Sequence, residues 1–474
     1  MNSAAELSPR PTRPRPTRLL IAGCLLYVLA AGGWMVFNAF GGSTAGTHAV
    51  DLTVYRDGGL IVRHVLPYYN PHSSSPLYDW GGYSALALKF TYTPFAAIAF
   101  ALLSFMSPGT LLGFSIVVNM VALLVALWYT FGGLGYTGRG QVTLRLALTL
   151  LAAGVTFWLQ PEVRTIYLGQ VNLVLMAGII WDLCQPSQGR WWKGFVTGIA
   201  AGIKLTPLIF IPYLLVVRRY REAAMTFAGF GFTVLVGFII LPADSKQWWL
   251  QGLIIKDGTR TGFIGWAGNQ SLRAIITRFA GSVNAGQDPW LVACVIFGVL
   301  GIGAAYLFDR AGHRMVAILV TALTGLLLSP ISWDHHWVWV APGVAVAGHY
   351  AVKYWRTDTT RARWLIALGA GLIIAFGAWP DSLWEKAQNL GEFSYGFLWG
   401  PPNTNPEQYT LHGDQPSFVE YHWHGIWLLT GNAYILAGVA VMIILAVAAW
   451  RIRRKPPSSP TVEQETAPAH IVSG

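Results

Sequence analysis

Apolar runs dominate this chain. Stretches of roughly 18–25 apolar residues, long enough to cross a bilayer as helices, recur between residues 19 and 449 with polar turns between them. The pattern predicts helices over 19–40, 110–131, 143–160, 171–184, 223–241, 289–307, 315–330, 336–351, 364–382 and 425–449. A half-length pair, 194–204 and 206–217, flanks Lys204-Leu-Thr-Pro207. Pro207 disfavours a helical Thr206, so two short helices are expected there rather than one long one. The run from Thr93-Pro94 to Met106 is shorter than the ~20 residues a crossing needs, and is expected to lie on the outer surface. The sum is an all-α polytopic membrane protein with about twelve crossings and both termini cytoplasmic.

Charge sharpens this picture. The chain is 54% hydrophobic and 11% charged, about half the charge of an ordinary soluble domain. Its net charge of +11 would suit nucleic acid, but the predicted topology puts 21 of the 32 basic residues and only 7 of the 21 acids inside. The positive-inside rule therefore accounts for the balance without nucleic acid. The 22 Trp, 19 Tyr and 23 Phe supply aromatics for two interfaces. Cys24, Cys184 and Cys294 lie in or beside apolar runs and suggest neither a disulfide framework nor a zinc site. Residues 1–18 and 451–474 are Pro-rich and polar and read as disordered cytoplasmic tails. Between them, 19–450 reads as one membrane domain with outer loops 41–109, 242–288 and 383–424. No internal repeat stands out.

The unusual polar clusters fall on the outer side of this topology. Asp51, Tyr55, Arg56 and Asp57 follow the first span; Glu162, Arg164, Tyr167, Gly169, Gln170 and Asn172 sit at the next outer turn. Lys204 is at the apex of the half-length pair. Asn269-Gln270-Ser271-Leu272-Arg273 lies in the second loop, and Ser332-Trp333-Asp334-His335-His336 closes a later turn. Ionisable groups at membrane depth are costly and usually functional. Each also has a plainer reading. A lone loop aspartate is ordinarily a solvated acid, Asp57 a partner for Arg56, and Lys204 a snorkelling lysine. Gln170 and Asn172 would also serve a broken helix by satisfying its backbone. Adjacent histidines diverge on a helix and have no i, i+4 partner, so phosphate or sugar contacts suit His335 and His336 better than a metal. His422 and His424 read as part of an interfacial belt with Trp423, and Arg260 as a loop charge able to meet a lipid phosphate.

Taken in order, several motifs resemble one family. They are Asp51-x-x-Val-Tyr after the first span, Thr91-Tyr-Thr-Pro, Gly169-Gln-Val-Asn, Lys204-x-Thr-Pro, Asn269-Gln-Ser-Leu-Arg and Ser332-Trp-Asp-His-His-Trp. The set is similar to the GT-C glycosyltransferases of family 87, the polyprenyl-phosphate-mannose-dependent mannosyltransferases of mycobacteria and related actinobacteria. The resemblance implies a GT-C fold in the plasma membrane, with its active site on the extracytoplasmic face. It implies a polyprenyl-phosphate mannose donor and a mannosylated lipid acceptor, such as a phosphatidylinositol mannoside or lipomannan, joined α-(1→2) with inversion. Asp51 matches the family's catalytic aspartate and takes the role of general base. Lys204, Arg260, Arg273, His335 and His336 are the expected cations and donors for the leaving phosphate; Tyr55, Gln170, Asn172, Asn269, Gln270 and Asp334 are expected to contact substrate. The chain has no Asp-x-Asp, so neither a nucleotide-sugar metal site nor another cofactor is expected. A polyprenyl-phosphate-arabinose arabinofuranosyltransferase remains open as an alternative, as does a lipid flippase or transporter with discontinuous helices.

Overall fold

The computed structural model describes residues 16–40, 49–64, 76–79, 89–186, 190–252, 263–378, 396–402, 404 and 417–453. The regular elements among them are helices, joined by two isolated bridges, Leu159 with Gly377 and Asn269 with Trp333. In chain order the helices that matter here begin with α1 (Pro16–Phe40), α2 (Val50–Val62), α3 (Pro94–Ala101), α4 (Pro108–Gly133) and α5 (Val142–Thr156). There follow α6 (Gln160–Leu168), α7 (Asn172–Cys184), α8 (Phe195–Ile203), α9 (Phe210–Val216) and α10 (Tyr220–Ile240). The last are α11 (Leu272–Ala280), α12 (Gln287–Arg310), α13 (Arg314–Leu328), α14 (Val340–Tyr354), α15 (Thr359–Phe376) and α16 (Ala433–Arg453). Two 3-10 turns, Thr206–Ile209 and Asp334–Trp339, lead into α9 and α14.

Among the described residues, six helices are long and apolar enough to cross a bilayer: α1 (over Pro16–Val36), α4, α10, α12, α15 and α16. The pair α6 and α7, bent by 116°, makes a seventh if it is one broken span. The chain is thus a multi-pass helical membrane protein. The sequence pattern counts more crossings because it also admits α5, α13 and α14. These have 15 residues each and rise only ~22 Å, against a hydrocarbon core of ~30 Å.

Local chemistry starts and stops these helices where the sequence marks them. The Thr93 hydroxyl accepts from the Ala96 amide, with Pro94 in the first turn of α3. Ser107 does the same for Thr110, with Pro108 opening α4. The half-length pair forms a hairpin. Lys193, before α8, and Arg219, after α9, both reach Glu222 of α10, at 3.4 and 3.5 Å, and Arg314 of α13 joins them at 2.7 Å. The chain therefore enters and leaves this hairpin at one end, with Lys204 at the other. Close packing holds it to α10, where a Cβ on Gly198 or Gly229 would collide with the facing backbone.

Two hydrophobic clusters result. The larger draws on α1, α4–α7, α13, α14 and α16. The smaller centres on α2: Leu52, Tyr55 and Ile61 pack with Phe90, Phe100 of α3 and Trp248. Within it Tyr55 stacks on Phe100 at 4.2 Å and Tyr78 on Trp248 at 5.2 Å. This cluster seats α2, and with it Asp51, on the membrane bundle.

Candidate active site

The site is built around a helix break. Helix α6 ends at Leu168, and Gly169 adopts φ +69° as its C-cap. A Cβ there would also come within 2.6 Å of Leu52 on α2, so glycine both turns the chain and lets α2 approach. Gln170 and Val171 bridge to α7, which begins at Asn172. The turn expected at 162–172 is in fact largely helical. All nine residues of α6 are buried although Gln160, Glu162 and Arg164 are polar, because they face protein rather than lipid.

Lys204, the C-cap of α8, reaches across this break. Its Nζ lies 2.8 Å from Asn172 Oδ1 and 2.8 Å from His336 Nε2. An ammonium only donates, so with Lys204 charged the His336 Nε2 accepts and the imidazole proton sits on Nδ1. Asn172 Nδ2 donates in turn to the His335 carbonyl at 2.8 Å, beside the Thr165 hydroxyl at 3.0 Å. Lys204, Asn172 and His336, with Thr206, form the polar wall of a pocket open at its mouth. Its other walls are apolar and include Leu175, Met176, Phe210, Leu326 and Trp339.

Asp51 enters from α2. It sits half-buried in the helix's first turn, where the N-terminal dipole favours a carboxylate. Leu52, next to Asp51, faces Gly169 of the break, which brings the carboxylate near enough for its charge to reach Lys204. Tyr55, one helical turn on, donates to Gln170 Oε1 at 2.5 Å and lies 2.9 Å from the Tyr92 hydroxyl. Tyr92 in turn accepts from Gln170 Nε2 at 3.3 Å and presents its ring 6.0 Å from Lys204 Nζ.

Behind His336 a second network fixes the loop. Asp334 accepts from the His335 backbone amide at 2.9 Å, from His335 Nδ1 at 3.0 Å and from Gln160 Nε2 at 2.5 Å, with Arg164 Nε at 3.8 Å. Burial alone would raise the Asp334 carboxyl; the His335 contact, then Arg164 and Gln160, hold it below its usual range. The His335 ring meets that of His336 edge-on at 4.8 Å.

Not every expected residue joins the site. Asn269 bonds the Ile264 and Pro330 carbonyls and the Ser332 amide. Gln270 bonds the Ala267 and Gly431 carbonyls and the amides of Tyr434 and Ile435. Both amides are occupied with backbone, tying this segment to residues 330–332 and 431–435, and neither lines the cavity. Arg273 lies over the Trp290 ring at 4.8 Å, away from the Lys204 cluster's hydrogen bonds. Arg260 lies outside the described residues. Tyr92, Gln160 and Thr165 do take part; Tyr92 belongs to the Thr91-Tyr-Thr-Pro motif, while only nearness to the Gly169 break marks Gln160 and Thr165 in the sequence. Arg278 is a further buried participant in the scaffold: it donates to Asn432 Oδ1 at 2.6 and 3.0 Å and to the carbonyls of Gly265, Trp266 and Asn269 at 3.1 Å.

Comparison with known proteins shows the family of this chain. The model of glycosyltransferase family 87 matches residues 90–330. The chain is 34% identical over 346 residues to the polyprenol-phosphate-mannose-dependent alpha-(1-2)-phosphatidylinositol pentamannoside mannosyltransferase of Mycobacterium tuberculosis CDC 1551, covering 72% of this chain and 75% of that one. It belongs to glycosyltransferase family 87.

Other relatives of this family-87 enzyme agree. The alpha-(1-2)-phosphatidylinositol mannoside mannosyltransferase of Mycobacterium tuberculosis H37Rv is 30% identical over 339 residues, covering 69% of this chain and 76% of that protein. The pentamannoside mannosyltransferase of Mycolicibacterium smegmatis is 38% identical over 259 residues, covering 54% and 60%. No solved structure matches. The motif resemblance to family 87 therefore holds. The matched segment carries Gln170, Asn172 and Lys204, while Asp51, Tyr55, His335 and His336 flank it. It is the fold that unites the two sets.

Proposed function

We propose that this glycosyltransferase moves mannose from a polyprenyl-phosphate mannose to a mannosylated phosphatidylinositol or lipomannan acceptor, forming an α-(1→2) bond with inversion. The names of the relatives support donor, acceptor and linkage. What supports the mechanism is Lys204 on the polar wall of a pocket whose other walls are apolar, with α2 and its Asp51 seated on the adjoining helix break. Asp51 takes the proton of the attacking acceptor hydroxyl as that oxygen bonds to the donor's C1. The C1–O bond to phosphate breaks with its electron pair on the phosphate, and Lys204 with His336 meets the charge that develops. The apolar wall suits the first units of a lipid chain. With Lys204 supplying the positive charge and no Asp-x-Asp in the chain, the reaction runs without a metal cofactor.

The wider reading is a GT-C membrane domain over 19–450 with about twelve crossings. It sits in the plasma membrane with cytoplasmic tails at 1–18 and 451–474, and its site opens to the extracytoplasmic face. The test supplies membranes bearing the native chain or Asp51→Ala with labelled polyprenyl-phosphate mannose and a phosphatidylinositol mannoside. The native chain should elongate the acceptor, and Asp51→Ala should do so about 10²–10⁴-fold more slowly, the usual contribution of a general base. Equal rates would remove the base from Asp51. Transfer of arabinose in place of mannose would overturn the donor.

A further inference from the structure

The hydroxyls of Tyr55 and Tyr92 and the amide of Gln170 form a closed ring. Tyr55 donates to Gln170 Oε1, Gln170 Nε2 donates to Tyr92, and the Tyr92 hydroxyl lies in hydrogen-bonding range of Tyr55. Tyr55 and Gln170 are both almost wholly buried, at 0% and 2% exposure. Their polar atoms are thus taken up by each other and by Tyr92, although the sequence reading places both against substrate.

The ring's placement shows what it does instead. Tyr55 lies four residues after Asp51 on α2, hence on the same helix face. Gln170 lies two residues before Asn172, which holds Lys204. Leu52, next to Asp51, rests on Gly169 in the same break. The Tyr55–Gln170 bond therefore spans the gap between the helix that carries the carboxylate and the break that carries the cation's partner. We propose that Gln170 and Tyr55 are positioning residues, which set the distance between Asp51 and the Lys204–His336 pair by pinning α2 to the α6–α7 break. The inference rests on Asp51 being the base, and it assigns the spacing of base and phosphate site to one hydrogen bond outside both.

Tyr55→Phe keeps the ring that stacks on Phe100 and removes only the hydroxyl. Gln170→Leu removes the amide at similar volume. If the pair positions the base, each variant lowers kcat about tenfold to a hundredfold, the scale of a misplacement near 1 Å. KM for donor and acceptor stays near native, because neither residue touches them. The double variant should be no slower than the slower single one, since both act through one bond. Raised KM with unchanged kcat would make the two residues substrate contacts and overturn the proposal. So would losses that multiply in the double variant, the outcome for two independent structural roles. Assaying Asp51→Ala in parallel separates the layers. Native turnover in Asp51→Ala removes the base reading and this inference with it. Loss there, with native turnover in Tyr55→Phe and Gln170→Leu, removes this inference alone.

Discussion

Lys204 is held by an amide oxygen and an imidazole, with no carboxylate among its hydrogen-bond partners. Its weak partners leave the positive charge available to an incoming phosphate. Lys204→Met should therefore lower kcat/KM about 10²–10³-fold, comparable to deleting a transition-state donor. The melting temperature should fall, because methionine leaves Asn172 Oδ1, His336 Nε2 and the nearby Asp51 carboxylate without their cation. Lys204→Arg should recover only part of the rate, as a planar fork does not fit Asn172 and His336 together. Steady-state kinetics and thermal unfolding followed by tryptophan fluorescence check both halves. Asp57, six residues beyond Asp51, behaves differently. Burial pushes its carboxyl up to about 6, against the opposing charge of Arg56. The folded chain thus holds this proton more tightly than the unfolded chain does. Asp57 costs nothing below about pH 4, its cost grows as pH rises from there through 6, and it levels off above. Asp57→Asn should raise the melting temperature above about pH 7 and leave it unchanged near pH 4.

The break between α6 and α7 does at the scale of elements what no single residue could. Its glycine turns the chain, its amides reach forward to Tyr55 and Lys204, and its flank receives Leu52. Gly169→Ala should destabilise by about 1–2 kcal/mol from the left-handed backbone alone. It should also lower kcat, because a methyl there pushes α2 outward and carries Asp51 with it. A variant that lost stability but kept native turnover would show that α2 is not seated by this contact. Parts of this arrangement are legible in the sequence for physical reasons. Thr93-Pro94 and Ser107-Pro108 announce helix starts, and Pro207 splits the pair around Lys204, because caps and prolines act locally. Helix α6 is not legible. Its nine residues mix Gln160, Glu162 and Arg164 with apolar ones, and a buried polar face cannot be told from a turn without seeing Asp334 and Tyr434 opposite. The amides divide in the same way. Asn172 and Asn269 look alike in sequence, yet one meets Lys204 and the other meets carbonyls from residues 264 and 330. Only long-range contacts distinguish them.

For the whole molecule, the hairpin of α8 and α9 decides on which side everything downstream lies. Its arms of nine and eleven residues, Phe195–Ile203 and Thr206–Val216, rise only ~13–16 Å, about half of a bilayer core. Lys193 and Arg219 close its base on Glu222, so the chain returns to the side it came from. That base also gathers Arg314, and Arg310 lies near it in sequence, the basic surplus expected of a cytoplasmic end. On the proposed topology Lys204 is raised from the inner side and α2 comes down to it from the outer loop, so the cation and the base arrive on separate elements. From the hairpin to residue 265 the chain crosses once, through α10. Reporters fused after residue 190 and after residue 265 should therefore fall on opposite sides, the first cytoplasmic and the second outside. If 193–219 instead formed one crossing, the two reporters would share a side, the charge bias would invert for every later loop, and α2 and Lys204 would no longer meet from opposite faces of the membrane.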